Sequence, residues 1–435
     1  VDSSTGYPVQ FSPSKNVVWK TSISYGQSSP VVVGNRVYLT ASEPTQLLTI
    51  CLDAKTGREL WRRAIARKKP QAIFRANDPA SPTPVADENG VVAFFAEFGL
   101  IAYSSDGKDR WSLPLGPFKN FYGMAASPIL AAGAILQVID QQSGSFLLAV
   151  DRNTGKQRWK TPRKADIGWA TPMVFRPTNG PAQLIVLGSD RLDSYYLDTG
   201  EPIWWMPVAS GGSLGTPVAL GNTLLVSTLA SSEPMMPTFA SVLTMYDKDH
   251  DGRLSHDEFK GDKDLGEHFG WIDDNHDGIV TEAEWNKARS LGTGEYGAIA
   301  IDAAKARGQM APTAVLWRFK KNLPYIPAPL AYKDVYFMVR DGGIITSLNP
   351  TTGALLKEGR TRDAIGEYYA SPVAADDKLF LANTEGKMTV VKAAAQWEVL
   401  AVNDLGDEIH ATPALSQGRL YVRTRGTLYC FGVPR

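Results

Sequence analysis

Cysteine is almost missing from this chain: Cys51 and Cys430 are the only two, too few for a disulfide framework. Histidine is nearly as scarce, with 5 residues, four of them lying from His250 to His276, and none spaced as a zinc-binding pair. No apolar run reaches the roughly 18 residues that a membrane-spanning helix needs. The longest candidate, Ile129 to Leu136, is strand-sized. An excess of one charge is also absent, since Lys plus Arg and Asp plus Glu stand at 45 each. That balance argues against a nucleic-acid or membrane-surface role. No phosphate-cradling glycine loop is present. The stretch Gly211-Gly212-Ser213-Leu214-Gly215 has the G-x-S-x-G spacing of a nucleophile elbow, but it leads into a strand at Thr216 instead of running from strand to helix.

What the chain does contain is repetition. Leu52–Trp61 (LDAKTGRELW) returns as Val150–Trp159 (VDRNTGKQRW), as Leu197–Trp204 (LDTGEPIW) and, with a shorter turn, as Ser104–Trp111 (SSDGKDRW). A second marker, a small residue followed by proline, opens an apolar strand at Pro30, Pro84, Pro128, Pro172, Pro217, Pro329, Pro372 and Pro413. A period of roughly 45 residues is that of propeller blades or solenoid units. Each repeat divides into four short strands punctuated by Gly or Asn, with no sustained helical periodicity, which selects the propeller. The fold expected is all-β: an eight-bladed β-propeller. Trp19 lies in an outer strand, Asn16–Ser24, that has no blade of its own, while the last repeat stops before its tryptophan strand. Pairing of the N- and C-terminal strands closes the ring and removes an exposed edge. The position before each turn is always small (Cys51, Ala102, Ala149, Ala300, Ser347, Cys430). Equivalent side chains in different blades point the same way, so the two cysteines are expected as buried thiols, and the blade tryptophans as inter-blade packing groups.

The repeat breaks once. Residues 1–229 carry blades one to five in part, 295–435 carry the rest, and between them 230–294 form an insertion in blade five with 14 acidic and 6 basic residues. It holds the one clear helical face, Phe239, Val242, Leu243 and Tyr246. It also holds two stretches, Asp247–Glu258 (DKDHDGRLSHDE) and Asp273–Glu284 (DDNHDGIVTEAE), that fit the twelve-residue calcium loop. Asp247, Asp249 and Asp251, and then Asp273, Asn275 and Asp277, supply side-chain oxygens at positions one, three and five. Gly252 and Gly278 make the turn, Arg253 and Ile279 offer backbone carbonyls, and Glu258 and Glu284 close each loop with a bidentate carboxylate. Two complete loops in tandem resemble a paired EF-hand, set against the alternative of a solvated acidic loop. Two calcium ions are the cofactors expected, with short linking helices that favour a structural over a switching role. His250 and His276 stand at the non-ligating fourth position and are expected at the surface.

A second candidate site lies just ahead of the proline markers. Tyr25, Tyr122, Trp169, Tyr325, Tyr369 and His410, with Phe121 and Tyr368 beside them, sit where the chain passes from one blade's outer strand to the next blade's inner strand. They either rim a central funnel, with Glu367, Glu408, Arg75 and Lys119 nearby, or fill it by packing on one another.

The recurring small residue, Asp, Thr-Gly and tryptophan resemble the quinoprotein-dehydrogenase-like (PQQ-like) β-propeller superfamily over nearly the whole chain outside the insertion. That resemblance implies the fold and leaves the function open, because the superfamily contains enzymes and scaffolds. Its quinone-dependent alcohol dehydrogenases set a vicinal cysteine disulfide against the cofactor. This chain has no adjacent cysteines, so no catalytic residue is carried over and PQQ is not the favoured ligand. The repeats are closer in style to the BamB-like, non-enzymatic branch, which implies a docking surface for proteins; the inserted calcium loops depart from that pattern. No lipidated cysteine stands near Val1, and no leader is visible there, as expected where a signal segment has been removed or the chain trimmed. The reading is a periplasmic or secreted, monomeric, calcium-binding scaffold that takes a protein, small-molecule or carbohydrate ligand at the funnel. A PQQ-dependent dehydrogenase and a carbohydrate-binding propeller are the alternatives.

Overall fold

In blades one to five a tryptophan of the outer strand faces a small residue across the ladder. Trp61 pairs with Cys51, Trp111 with Ala102, Trp159 with Ala149, Trp204 with Ser194 and Trp317 with Ala300. The register shifts by a bulge immediately beyond each of these pairs, which bends the outer strand of the sheet. The position is small because an indole lies opposite it. In the computed structural model, which describes residues 3–433 except 69, 71–76, 121, 143, 209–213, 229–235, 291–295 and 305, these ladders build eight antiparallel propeller blades. Seven of them start from an innermost strand at Val31, Val85, Ile129, Met173, Val218, Leu330 and Val373. The eighth takes three strands from Ala414–Phe431 and its outer strand from Val17–Ser22, Trp19 facing Cys430.

Apolar burial lies between blades, not within them. Val92 and Phe94 of the second blade meet Ile135, Leu148 and Val150 of the third, and Leu39 and Ile50 of the first meet Tyr421 and Leu428 of the eighth. The tryptophans tighten these seams. Trp19 donates its indole N–H to Ala54 O, Trp61 to Ser105 O, Trp111 to Arg152 O and Trp317 to Pro350 O, at 2.9–3.0 Å and always in the next blade. Each of these indoles lies flat on the glycine of that blade's turn: Gly57, Gly107, Gly155 and Gly353. In the sixth blade the tryptophan is replaced by Lys357, whose ammonium sits 4.6 Å over the Trp397 ring of the seventh.

The residue before each proline has a role that spacing alone did not reveal. The backbone N–H of Ser29 donates to Thr83 Oγ1, that of Thr83 to Ser127 Oγ and that of Ser127 to Thr171 Oγ1, at 3.0–3.1 Å. Ala328 donates to Ser371 and Ser371 to Thr412 in the same way, both at 3.0 Å. The small residue is therefore a hydroxyl link from blade to blade around the axis, and Ala328 is the one member of the series without a hydroxyl. Ser127→Ala is expected to cost about 1 kcal/mol by leaving the Thr83 N–H without its acceptor, read as a lower urea midpoint at unchanged slope. An unchanged midpoint refutes the assignment.

Two features go beyond the expected architecture. Residues ahead of the closing strand form an arm over blades seven and eight: Tyr7 and Phe11 are buried, Gly6 N–H reaches Asp376, and Phe11 N–H reaches Asn403 at 2.8 Å. The fourth blade has five strands instead of four, because Gly308–Gln309 pairs in parallel with Trp204 and Trp205. The fifth blade has no Asp-Thr-Gly turn before its outer strand, so its longer connection reaches the neighbouring edge and covers Trp204.

Candidate functional site

The fifth blade pairs Thr223–Thr228 directly with Gly297–Asp302, so everything between these strands projects from one sheet. Helices α1 (Phe239–Tyr246), α2 (Lys263–Ile272) and α3 (Glu282–Ser290) follow one another there. They enclose a core of their own, in which Phe239, Val242, Leu254, Phe259, Val280 and Trp285 are buried. Thr238 caps α1 and Asp262 caps α2 through their side chains. The two acidic stretches lie side by side, joined by a short ladder that pairs Leu254 with Val280.

Each stretch is wrapped around its own carboxylates. In the first, Gly252 N–H donates to Asp247 Oδ2 at 3.0 Å, Arg253 N–H to Asp251 Oδ1 at 2.7 Å, and Lys248 and Ser255 N–H to the two oxygens of Glu258 at 2.8 and 2.7 Å. In the second, Gly278 N–H donates to Asp273 Oδ2 at 2.9 Å, Ile279 N–H to Asp277 Oδ1 at 2.9 Å, and Thr281 N–H to Glu284 Oε2 at 2.9 Å. Gly252 and Gly278 have φ of +76° and +85°, as the turn at position six requires. His250 and His276 are exposed at positive φ. Asp247, Asp249 and Glu258 bring oxygens within 4.8 Å of one another. Burial pushes the Glu258 carboxyl up, yet the N–H groups of Ser255 and Lys248 outweigh it and hold the group below the usual carboxylate range. Asp247 Oδ1 is buried with no donor. A buried carboxylate oxygen left without a partner inside an acidic cluster fits a cation.

The pre-proline residues gather at one mouth of the ring, in two groups. In the first, Gln27 Nε2 lies 3.2 Å from Tyr25 Oη and 3.1 Å from His410 Nδ1, and the His410 ring meets that of Tyr369 edge-on at 5.3 Å. Burial lowers the His410 imidazole, against the pull of Glu408. In the second, Tyr122 meets Trp169 edge-on at 5.6 Å. Tyr325 is 43% exposed. Burial raises the phenols of Tyr122 and Tyr369, and Tyr325 lies close enough to add to both effects. The aromatics thus pair within sectors and leave Tyr325 open. Tyr368, expected beside them, is instead core: 1% exposed, its hydroxyl donates to Ala364 O. Phe121 and Arg75 lie outside the described residues, as do residues 211–213 of the elbow-like stretch.

Gln27 was readable from its place ahead of the Ser29-Pro30 marker. The contacts that join the insertion to the mouth were not: His268 Nε2 lies 3.1 Å from Tyr122 Oη, 146 residues away in sequence. Cys51 and Cys430 are buried and free; burial raises their thiols to about 12 and about 11, which leaves them unreactive.

A closed ring of eight blades, five of its seams docked by tryptophan on glycine, defines a β-propeller of PQQ-like repeats. The chain belongs to the family of the outer membrane protein assembly factor BamB, whose family model matches residues 9–165 and 143–433. The outer membrane protein assembly factor BamB of Burkholderia pseudomallei (strain K96243) is 26% identical over 251 residues, covering 55% of this chain and 58% of that relative. This chain therefore aligns with just under three-fifths of that relative's length. Among solved structures, BamB from Moraxella catarrhalis superposes with a TM-score of 0.56 at 13% identity, covering 95% of this chain and 98% of that one. Quinohemoprotein alcohol dehydrogenase from Comamonas testosteroni does so with 0.54 at 11% identity, covering 96% and 77%. At these identities the likeness to either structure is one of fold.

Proposed function

We propose that this chain is an extracytoplasmic scaffold whose propeller mouth docks another protein and whose insertion is an EF-hand pair holding two calcium ions. The observation that supports the scaffold reading is the family match through both halves of the propeller, to relatives named for outer membrane protein assembly. The exposed Tyr325 between two self-paired aromatic sectors offers such a partner an anchor. A photo-crosslinker at position 325 is expected to capture a discrete protein adduct in the cell envelope, while one at the outer-edge position Leu60 captures none. Equal yields from both positions refute docking at the mouth.

The quinone alternative is tested on the same preparation. The dehydrogenase reading predicts quinone absorbance that stays with the protein through gel filtration in calcium; the scaffold reading predicts that none remains.

In the first loop calcium would be held by Asp247, Asp249, Asp251, the Arg253 carbonyl and Glu258. In the second it would be held by Asp273, Asn275, Asp277, the Ile279 carbonyl and Glu284. A bound calcium supplies positive charge to acids that otherwise repel, and the Asp247 Oδ1 orphan gives that charge a waiting ligand. Chelation is expected to lower the melting temperature. At a calcium concentration about 100 times the Kd, each site contributes about 2.7 kcal/mol. A calorimetric scan unmoved by chelator removes the calcium reading.

A further inference from the structure

The two acidic loops differ in what lies behind them. Asp274 and Glu284 of the second loop, with Lys287 and Ala288 of α3, line a recess whose other wall is Gln142, Asp166 and Ile167 of the propeller. Lys287 Nζ lies 3.0 Å from Asp274 Oδ2 and 3.5 Å from Asp166 Oδ2, so a single ammonium straps the second loop to the body of the ring. The end of α2 is held on the same side. Gln142 Nε2 donates to Gly270 O at 3.2 Å, and His268 meets Tyr122. Ile272, at the end of α2, and Ile167 are both buried at this seam. The first loop has no comparable contact among the described residues: its hydrogen bonds are internal, and Lys248, Asp249, Asp251 and Arg253 are exposed.

We infer that the second loop, Asp273–Glu284, is a coupling site: filling it clamps the insertion onto blades three and four and keeps the Tyr122–Trp169 sector of the mouth covered, whereas the first loop only stabilises the insertion. This rests on the calcium reading above. The physical reason is shared residues. A cation gathered by Asp273 and Glu284 fixes the end of α2 and the first turn of α3 relative to one another. The docking contacts named above lie on these helices and the loop between them: His268 and Gly270 on α2, Asp274 in the loop and Lys287 on α3. The coupling is reciprocal, so a contact that favours the docked state must also favour calcium at the second loop.

Asp166 provides the test because it belongs to the propeller and ligates nothing in either loop. Calcium is titrated by calorimetry into the full chain, with and without Asp166→Asn, in a Glu258→Gln background that weakens the first loop and a Glu284→Gln background that weakens the second. With the second loop intact, Asp166→Asn is expected to weaken calcium binding about 5–20-fold; with only the first intact, by less than twofold. Hydrogen exchange at residues 122–123, 141–142 and 166–169 should slow on calcium addition in the natural chain and not in Glu284→Gln. Lys287→Met in the otherwise natural chain gives the same selective loss without touching a ligand. Two calcium ions that bind with constants indifferent to Asp166 overturn this coupling and leave the calcium reading standing. Equal losses at both loops also overturn it, and a chain that binds no calcium overturns both.

Discussion

Gly57→Ala is expected to destabilise the chain by roughly 3–5 kcal/mol, adding left-handed strain to overpacking. Gly57 has φ of +72°, and a Cβ there would lie 2.4 Å from Trp19 Cε3, 2.6 Å from Trp19 Cδ2 and 2.7 Å from Thr21 Oγ1. Trp19 sits on the outer strand of the eighth blade and Gly57 in a turn of the first, so the seam forced apart is the one between those two blades. Gly34→Ala separates the two contributions. Its φ is +56° but nothing lies within 4 Å of the added carbon, so it carries the strain alone, about 1–2 kcal/mol. Urea denaturation of both variants measures the difference. If Gly57→Ala costs no more than Gly34→Ala, the tryptophan is not seated on the turn as described.

Arg163→Met is expected to cost about 3–5 kcal/mol near neutral pH, the range for leaving one member of a buried ion pair alone. Arg163 is buried; its guanidinium donates to both oxygens of Asp140 at 2.7 and 3.0 Å, and to Asp193 and the Tyr195 hydroxyl at 3.2 and 3.0 Å. Asp193 keeps a second partner, Arg191, at 2.6 Å, so Asp140 is the group left exposed to its own desolvation. Burial already raises the Asp140 carboxyl, against the pull of Arg163, and removing the arginine raises it further. A carboxyl that holds its proton more tightly folded than unfolded costs stability when charged. That cost is full above the raised folded pKa and fades as pH falls toward the unfolded value, near 3.9. The deficit of Arg163→Met should therefore narrow between pH 7 and pH 4. Adding Asp140→Asn should recover part of it at pH 7, by replacing the uncompensated charge with an amide. A deficit that is the same at both pH values would count against Asp140 as its source.

The blade count, the closing strand and the buried state of both thiols could be read from residue order, because each depends on a local pattern repeated along the chain. The hydrogen bonds inside the two acidic stretches follow residue order as well, since they join amides to carboxylates at fixed offsets, such as Gly252 on Asp247 and Gly278 on Asp273. The funnel residues were legible only as a set. Their common place ahead of the prolines put them at one mouth, but it could not say that Tyr368 turns inward while Tyr325 stays open, since that depends on what packs from the neighbouring blades.

By itself, then, the sequence determined the architecture, since strand length, turn chemistry and the indole–glycine spacing are encoded within single repeats. The tertiary structure alone decided what the repeats do to one another. The hydroxyl links around the axis, the arm over blades seven and eight, the buried Arg163 cluster and the seating of the insertion on Tyr122 and Asp166 all join residues from different repeats or from outside them. Such contacts are set by the rigid geometry of the closed ring and leave no periodic trace in the order of residues. The physical difference is range: hydrogen bonds within a turn are fixed by offset, whereas contacts between blades are fixed by which surfaces the ring brings together.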